Sequence, residues 1–524
     1  MSSASDKPPG GTVAAGAPVS GGSVSRRIAV NTVSNWVTMG IQVGTNLFFL
    51  AYVLRFLDKE IFGVFRLAVS LSTVVGLCSF GMAASVLRLA SETLAAKNWE
   101  GLSDILSVSR TLLTATAGLG MAILVVVAVF FLDALKVPEP AQQAAAFLVV
   151  MEGLKASLSL VGIVYHGSVR ACQRYDLSNV ISCGDTVLQI ALVVTFFEAG
   201  WVSLFALGVG RLIPSVLSQV GIWIVMHRLL PKIRLSYRKF TRAAFSRVLS
   251  FGVWTGVKMI SRTIMEEAAT PIVSATLGIA AVASIAIPQL MAQFLVQVVN
   301  GLTLTLWPIA AGYAVAGQRE NLGRLFRVST RLAMIMLVPS LAVSVTHGDA
   351  LICVLKPELA GTYYVMLVYL GMFFARAAAV PADHLVLASG SIRSVAVSTF
   401  AAAAVGVPLG LAAAFLTDWG IYGILVVLFT PIAIQSLVYL PYQVRKEMGV
   451  GFRTTFLGCM AWPVVGGVVP LAAGWCLVRV WPPTALWQVL LQMVMAASTY
   501  GAVAWFLILH AEERQMMLRV VRRR

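Results

Sequence analysis

Four charged residues fall close together in one apolar stretch of the sequence, at Lys258, Arg262, Glu266 and Glu267. On a helix the first three share one face, because they are spaced four residues apart. A charge at the centre of a lipid-embedded helix costs about 2.5–3.5 kcal/mol on insertion scales. Arg262 can pair with Glu266, but Lys258 has no carboxylate one turn away and needs water, another helix or an anionic ligand. A buried structural pair and the wall of a cavity are both open, and the lone lysine favours the cavity.

A second polar stripe lies near the start of the chain, at Asn31, Asn35, Thr38, Gln42 and Asn46. At 100° per residue, these positions fall within about 80° of one another on a helix. The rest of the segment is apolar. The pattern predicts a helix with one amide-rich face turned away from lipid.

Further ionisable groups interrupt other apolar segments, where such groups are functional by default. Arg211 has no partner nearby in the sequence, Arg376 and Asp383 are seven residues apart on one helical face, and Asp185 is a candidate coupling-ion site. The candidate ligand-binding residues are therefore Lys258, Arg262, Arg211, Arg376, Asn31, Asn35, Gln42 and Asn46. The candidate ion-coupling residues are Glu266, Glu267, Asp383 and Asp185.

Other charges have simpler explanations. Glu152 and Lys155 are three residues apart, which predicts a structural pair. His384 can titrate near neutral pH, but its place near the end of its segment favours an interfacial side chain. Arg55 and Arg66 flank one predicted loop, where contact with lipid headgroups and a cavity role are both open.

Catalytic motifs are missing from the sequence. G-x-S-x-G, the Walker A sequence and H-E-x-x-H do not occur, and the five histidines are scattered. The six cysteines occur singly, which predicts neither a disulfide framework nor a metal site. The sequence therefore predicts a protein that is not an enzyme and has no cofactor. Any driving force must come from an ion gradient, the membrane potential or use of the product.

The elements that must position these residues are membrane helices. The chain is 59% hydrophobic and 12% charged, with a mean hydropathy of +0.86, whereas a soluble domain carries about a quarter charged residues. Apolar runs of about 20 residues, long enough to cross a bilayer, recur along the chain. They predict an all-α membrane protein of about 14 transmembrane helices, which begin near Ile28, Phe62, Thr111, Gln142, Ser178, Val202, Phe251, Val282, Leu332, Thr362, Val395, Ile421, Phe456 and Leu486.

The basic residues are unevenly distributed about these helices. With the N-terminus inside, roughly 28 of the 39 Lys and Arg residues fall in cytoplasmic segments and about six in outside loops. This bias predicts that both termini are cytoplasmic. The net charge of +17 is thus a topology signal that favours membrane lipids, and nucleic acid is not an expected partner.

The two halves of the chain carry a weak internal repeat. At an offset of about 220 residues, Ala96, Glu100, Leu102, Val108, Ser109 and Leu112 recur as Ala316, Glu320, Leu322, Val328, Ser329 and Leu332. The same offset places the amide stripe on the charged stretch at Lys258. Six spans separate the copies, which predicts parallel halves. The two stripes are therefore predicted to form opposite walls of a cavity between the halves.

The repeat and the loops together predict the domain organisation. The longest inside loop is strongly basic, which favours a charged connector over a helix lying on anionic headgroups. The predicted divisions are a disordered cytoplasmic tail (1–25), an N-terminal six-helix bundle (26–227), the basic linker (228–250), a C-terminal six-helix bundle (251–446), an extra helix pair (447–510) and a basic cytoplasmic tail (511–524).

Four segments carry a resemblance to a known family. They are Asn31 to Leu47, Leu54 to Gly63, Ser274 to Gly278, and Trp307-Pro308 with Ala316 to Leu322. Over residues 26–445 the chain resembles the Wzx-type oligosaccharide flippases, which form the polysaccharide transporter family of the multidrug/oligosaccharidyl-lipid/polysaccharide exporter superfamily. The last two spans fit this family by hydropathy only.

The resemblance implies a V-shaped pair of six-helix bundles that works by alternating access. The implied substrate is an undecaprenyl-diphosphate-linked oligosaccharide, moved from the inner to the outer leaflet of the bacterial plasma membrane for the synthesis of O-antigen (lipopolysaccharide), capsule or exopolysaccharide. A proton or sodium ion is the implied coupling ion. A polysaccharide polymerase and a chain-length regulator are the implied protein partners.

The resemblance also implies a basic cavity that meets the diphosphate. The matching positions are Lys258 and Arg262, with Arg211 and Arg376 as further candidates, and Glu266 and Glu267 would balance these charges or carry protons. The chain departs from the family in one respect, because its first helix offers amides rather than charges. The basic lining would therefore be one-sided.

Three alternatives remain open. A multidrug exporter of the same superfamily usually has 12 spans and an acid in helix one, which this chain lacks. A peptidoglycan lipid II flippase has 14 spans, but its arginine-rich opening on helix one is missing here. A membrane polysaccharide polymerase or glycosyltransferase would normally carry a larger outside loop with catalytic groups.

Overall fold

The computed structural model describes residues 38, 40–42, 44–46, 48–237 and 241–509. These residues form helices, turns and irregular connections, and no strand occurs among them. The predicted tails at 1–25 and 511–524 lie outside the described residues. The all-helical prediction is confirmed.

Nineteen α-helices follow one another along the described chain. They are α1 (helical positions between 38 and 56), α2 (Lys59–Leu77), α3 (Met82–Ala95), α4 (Trp99–Phe130), α5 (Glu139–Ala171), α6 (Tyr175–Glu198), α7 (Leu204–Leu229), α8 (Arg242–Glu267), α9 (Ala269–Leu277), α10 (Ile279–Val315), α11 (Arg319–Leu355), α12 (Tyr363–Ala378), α13 (Val380–Ala388), α14 (Ile392–Leu416), α15 (Gly420–Ile434), α16 (Leu440–Met448), α17 (Trp462–Gly466), α18 (Val468–Val480) and α19 (Leu486–Val503). A 3₁₀ turn covers Pro357–Thr362, and π-helical turns cover Gln435–Tyr439, Thr454–Ala461 and Ala504–Ile508.

Within the described chain, twelve helices are long and apolar enough to cross a membrane. The two other predicted spans are α1, which is described only in part, and the α8–α9 segment, which carries the four clustered charges. Both of these segments are helical where they are described. The two spans outside the twelve are thus the two that carry the polar stripes.

Three helices begin well before the predicted start of their membrane span. Helices α4 and α11 begin at Trp99 and Arg319 rather than at Thr111 and Leu332, and α8 begins at Arg242 rather than at Phe251. In each case a charged segment continues the helix on the side predicted to be cytoplasmic. Hydropathy detects the part of a helix that lies in hydrocarbon, not the turns that extend into the headgroup region.

Part of the predicted basic linker is helical, because α8 begins at Arg242. The connection between α7 and α8 packs on α4, where the Ser103 hydroxyl donates to the Arg234 carbonyl at 2.7 Å. The Arg110 guanidinium lies 3.9 Å from the centre of the Tyr237 ring. These contacts hold the connector against the N-terminal helices.

The internal repeat is visible in the helix boundaries. Helices α2 and α10 begin at Lys59 and Ile279, and the turns that precede α4 and α11 hold Lys97 and Gly317 in the left-handed region, with φ of 53° and 66°. Each pair is separated by the offset found in the sequence. The register inferred from a few matching residues therefore extends to the backbone.

The helices pack in two groups that meet along α2, α3, α8 and α10. Helices α2 to α7 pack on one another, and α8 to α16 form a second group. Glycines permit close contacts between the groups. A Cβ at Gly63 would clash with the carbonyl oxygen of Ile279, and one at Gly256 would lie 2.6 Å from the carbonyl carbon of Phe80.

The last helix pair packs on the second group. Helices α18 and α19 pack on each other and on α11. A cavity of about 590 Å³ lies between α11 and this pair, lined by Arg331, Gly458, Trp462, Val465, Gly466, Val503 and Ile508.

Candidate functional site

Five charged side chains from α8, α12 and α13 meet inside the second group of helices. We call them the C-terminal cluster: Lys258, Arg262, Glu266, Arg376 and Asp383. Lys258 Nζ lies 2.6 Å from the Asp383 carboxylate. Arg262 Nε lies 3.0 Å from Glu266, and Arg376 forms an ion pair with the same carboxylate. The lysine without a local partner in the sequence thus finds one on another helix.

The C-terminal cluster carries an excess of positive charge. It holds three cations and two carboxylates, so its formal charge is +1 when all five groups are ionised. Glu266 is shared by two arginines and cannot neutralise both. Arg262 is the most exposed of the five, with 35% of its side chain accessible. Since a guanidinium has five N–H donors in a fixed fork, Arg262 can bind a second anion beside Glu266.

A cavity of about 40 Å³ adjoins this cluster. Its lining consists of Lys258, Arg262, Arg376, Ala379, Val380, Asp383, Thr399, Ile432, Gln435, Ser436 and Leu440. This volume holds a few water molecules. Every lining residue belongs to the second group of helices. The cavity therefore differs from the predicted one between the halves.

Polar residues that were not predicted from the sequence complete this cavity. Gln435 begins a π-helical turn, and its amide donates to Ser398 at 3.2 Å and to Thr399 at 3.5 Å. Such turns shift the register of a helix and are frequent at functional sites. The only signal in the sequence is a glutamine in an otherwise apolar run.

A second cluster lies within the first group of helices. We call Glu152, Lys155, Asp185 and Arg211 the N-terminal cluster. Arg211 Nε lies 2.6 Å from Glu152 Oε1, but the N–H of Nε does not point at that oxygen. The Nη2 of Arg211 donates to the Oε2 of Glu152 at 3.3 Å. Lys155 Nζ lies 3.8 Å from Glu152.

Neutral groups complete the N-terminal cluster. Lys155 donates to Gln189 at 3.0 Å, and the Ser215 hydroxyl donates to Asp185 at 3.3 Å. Two cations face two carboxylates, so the formal charge is zero. Arg211 had no local partner in the sequence because its carboxylate lies on α5, and Glu152 is only 3% exposed.

Hydrogen bonds around Arg66 and Glu267 connect the two groups of helices. Arg66 on α2 donates to Gln289 on α10 at 3.0 Å, and Gln289 donates to the Glu266 backbone carbonyl at 3.1 Å. The Ser70 hydroxyl donates to the Glu267 carbonyl oxygen at 3.4 Å. Arg66 thus joins the halves, whereas the sequence had left contact with lipid headgroups and a cavity role open.

The remaining candidates are placed as follows. Asn31 and Asn35 lie outside the described residues, Gln42 is half-buried and Asn46 is exposed. The amide stripe as an opposite wall stays a prediction. His384 is half-buried, and its Nδ1 donates to the Val380 carbonyl oxygen at 3.1 Å. Among the described residues, no group of His, Cys, Asp and Glu could hold a metal ion.

Comparison with known proteins shows the fold. No family model and no curated protein matches the chain. A solved structure of an inward-facing MATE multidrug resistance transporter of the MOP superfamily matches with a TM-score of 0.67 and 12% identity, over 81% of this chain and 99% of the other. The lipid II flippase MurJ, inward closed, matches with a TM-score of 0.65 and 13% identity, over 91% and 99%.

A MOP superfamily transporter from Pyrococcus furiosus, described as having a binding pocket of reverse polarity, matches with a TM-score of 0.56 and 13% identity, over 82% of this chain and 96% of the other. At such identities the likeness is one of fold. Proteins with unrelated substrates can share one fold. The chain is therefore a multi-pass membrane protein with the fold of the MOP superfamily transporters.

Proposed function

We propose that the protein is a flippase that moves undecaprenyl-diphosphate-linked oligosaccharides from the inner to the outer leaflet of the bacterial plasma membrane. The observation that carries the proposal is the excess positive charge of the C-terminal cluster, with Arg262 partly exposed. A diphosphate that enters a medium of low dielectric needs fixed cationic partners. Arg262 supplies a planar fork at the edge of a buried cluster, and Arg376 and Lys258 lie behind it.

The shared carboxylate gives the cluster two arrangements. Before substrate binds, Glu266 pairs with both Arg262 and Arg376. A bound diphosphate would take over both guanidinium groups and leave Glu266 free to accept a proton. The carboxylate would therefore couple substrate release to proton or sodium movement, and Asp383, Glu267 and Asp185 are further candidates for this coupling.

The cavity must widen for the substrate to pass. At about 40 Å³ it holds a few water molecules and has no room for an oligosaccharide. The substrate would therefore meet Arg262 first and separate α8 from its neighbours as it binds. Alternating access between two packed halves provides such a change.

The nearest alternative is a lipid II flippase. The MurJ structure covers 91% of this chain, against 81% for the multidrug transporter. Lipid II carries a diphosphate as well, so the C-terminal cluster fits both substrates. A multidrug exporter of cations fits less well, because a site of net positive charge repels them. A polymerase or glycosyltransferase would need catalytic groups beyond those seen in the described chain.

Polysaccharide export by variants tests the proposal. In a host that lacks its own flippase, Arg262→Ala should reduce surface polysaccharide at least about tenfold, since one charge-assisted contact is lost. Arg262→Lys should restore part of the activity, because it keeps the charge and loses the fork. Lipid-linked sugar should accumulate on the inner leaflet, and both readouts are made at matched amounts of protein in the membrane.

Arg393→Ala is the matched control. Arg393 lies in the same half on α14, 5.2 Å from the Trp254 ring and outside the cluster, so this variant should transport normally. Normal transport by both Arg262→Ala and Lys258→Ala would contradict the proposal. Rescue of a strain depleted of its lipid II flippase would assign the second substrate instead.

A further inference from the structure

Two lysines at one end of the molecule each form a hydrogen bond from one half to the other. Lys136 lies between α4 and α5, and its Nζ donates to the Thr276 carbonyl at the end of α9, at 2.5 Å. Lys356 follows α11, and its Nζ donates to the Leu57 carbonyl at the end of α1, at 3.3 Å. All four residues lie at the end predicted to be outside. Each half therefore binds the other through one lysine.

The two contacts are related by the internal repeat. Lys356 is the counterpart of Lys136 at the repeat offset, and Leu57 corresponds to Leu277, the neighbour of Thr276. The local backbone differs, with φ of 54° at Lys136 and −156° at Lys356. The repeat thus preserves the contact rather than the conformation of the loop.

Each lysine binds a carbonyl at the C-terminal end of a helix. The last carbonyls of a helix lack partners within it and lie at the negative end of its dipole. Helix α9 ends at Leu277, so the Thr276 carbonyl is one of these groups. An ammonium satisfies such a carbonyl and is attracted by the same dipole. The Ser274 hydroxyl donates in the opposite direction, to the Leu135 carbonyl.

Two backbone hydrogen bonds hold the turn that carries Lys136. The Lys136 amide donates to the Asp133 carbonyl at 2.9 Å, and the Val137 amide donates to the Leu132 carbonyl at 3.1 Å. This bonding pattern usually has glycine at the left-handed position. A lysine with positive φ at this position is strained, and strain of this kind gathers at functional sites.

We infer that Lys136 and Lys356 are two latches that hold the outer ends of the halves closed and must be released for the protein to open outward. Lys136 is exposed and each latch is one hydrogen bond, so the contacts can break and re-form. Behind them Leu57 and Ile279 are 2% and 4% exposed. The inference rests on the alternating access proposed above and not on the identity of the substrate.

Thiol labelling tests the latches without substrate. Ile279→Cys is introduced into a chain whose six native cysteines are replaced, and its reaction with a charged maleimide is timed in lipid nanodiscs. Lys136→Met and Lys356→Met should each speed labelling about tenfold, the effect of losing a hydrogen bond to a charged group. The double variant should exceed either one, because the two contacts do not touch.

Two further variants fix the interpretation. Lys59→Met, a lysine at the same end of the molecule, should label at the parent rate, and Lys136→Arg with Lys356→Arg should stay slow because both charges remain. Labelling of the double Met variant at the parent rate would overturn the inference, and so would an Arg pair as fast as the Met pair. Since no substrate is present, an error in the proposed substrate leaves these outcomes unchanged.

Discussion

The N-terminal and C-terminal clusters contain the same types of charged residue but differ in charge balance and in burial. In the N-terminal cluster two cations face two carboxylates, and Glu152 is almost fully buried. In the C-terminal cluster three cations share two carboxylates beside a cavity, and Arg262 is partly exposed. The first cluster is charge-balanced, and the second has an excess of positive charge, as the proposed binding of a diphosphate requires.

This difference gives a way to distinguish charges in the membrane that stabilise the fold from charges proposed to bind substrate. A buried ion pair costs desolvation energy that its mutual attraction only roughly offsets, and removing one partner leaves an uncompensated charge. Loss of a charge from the balanced cluster should therefore harm folding. Loss of the exposed charge from the unbalanced cluster should harm binding, because Glu266 keeps Arg376 as a partner.

The largest effect is expected at Arg211. Arg211→Met leaves the buried Glu152 with only Lys155 at 3.8 Å, and should lower the free energy of unfolding by about 3–5 kcal/mol. Unfolding in mixed micelles measures this change. Addition of Glu152→Gln should recover a large part of it, because the orphaned charge is then removed.

Arg262→Met is the matched arginine in the other cluster. It should lower the free energy of unfolding by about 1 kcal/mol or less, since Arg262 is partly exposed. Equal losses for Arg211→Met and Arg262→Met would erase the distinction between the clusters.

An effect between those of Arg211→Met and Arg262→Met is expected at the pair of Lys258 and Asp383. Lys258→Met leaves a half-buried carboxylate that the cavity waters can solvate in part, and should cost about 1–3 kcal/mol of unfolding free energy. Asp383→Asn should cost less, since an amide keeps hydrogen-bonding capacity. A double-mutant cycle should show coupling of about 0.5–3 kcal/mol. Strictly additive losses would mean that the 2.6 Å contact contributes nothing.

More of the fold than of the site could be predicted from the sequence. Apolar runs predict membrane helices because lipid accepts no unsatisfied backbone, and the offset of the repeat fixes the register of the halves. The pairing of Arg262 with Glu266 follows from helical spacing. These features are local or periodic, so one sequence contains them.

Contacts between helices lay beyond prediction. Nothing in the spacing of Lys258 identifies Asp383, which is 125 positions away, or pairs Arg211 with Glu152. Arg66 was placed near a loop, yet it contacts Gln289 across the two halves. Gln435 enters the cavity through a π-helical turn that hydropathy does not reveal. Such contacts depend on packing, which a pattern along one helix does not contain.

Binding to the purified protein tests the central claim most directly. The affinity for undecaprenyl diphosphate is compared with that for undecaprenol, in wild-type protein and in Arg262→Ala. The wild type should bind the diphosphate at least about tenfold more tightly than the alcohol, a difference of about 1.4 kcal/mol. Arg262→Ala should lose most of this preference. An unchanged preference in Arg262→Ala would contradict the assignment of the C-terminal cluster as the diphosphate site.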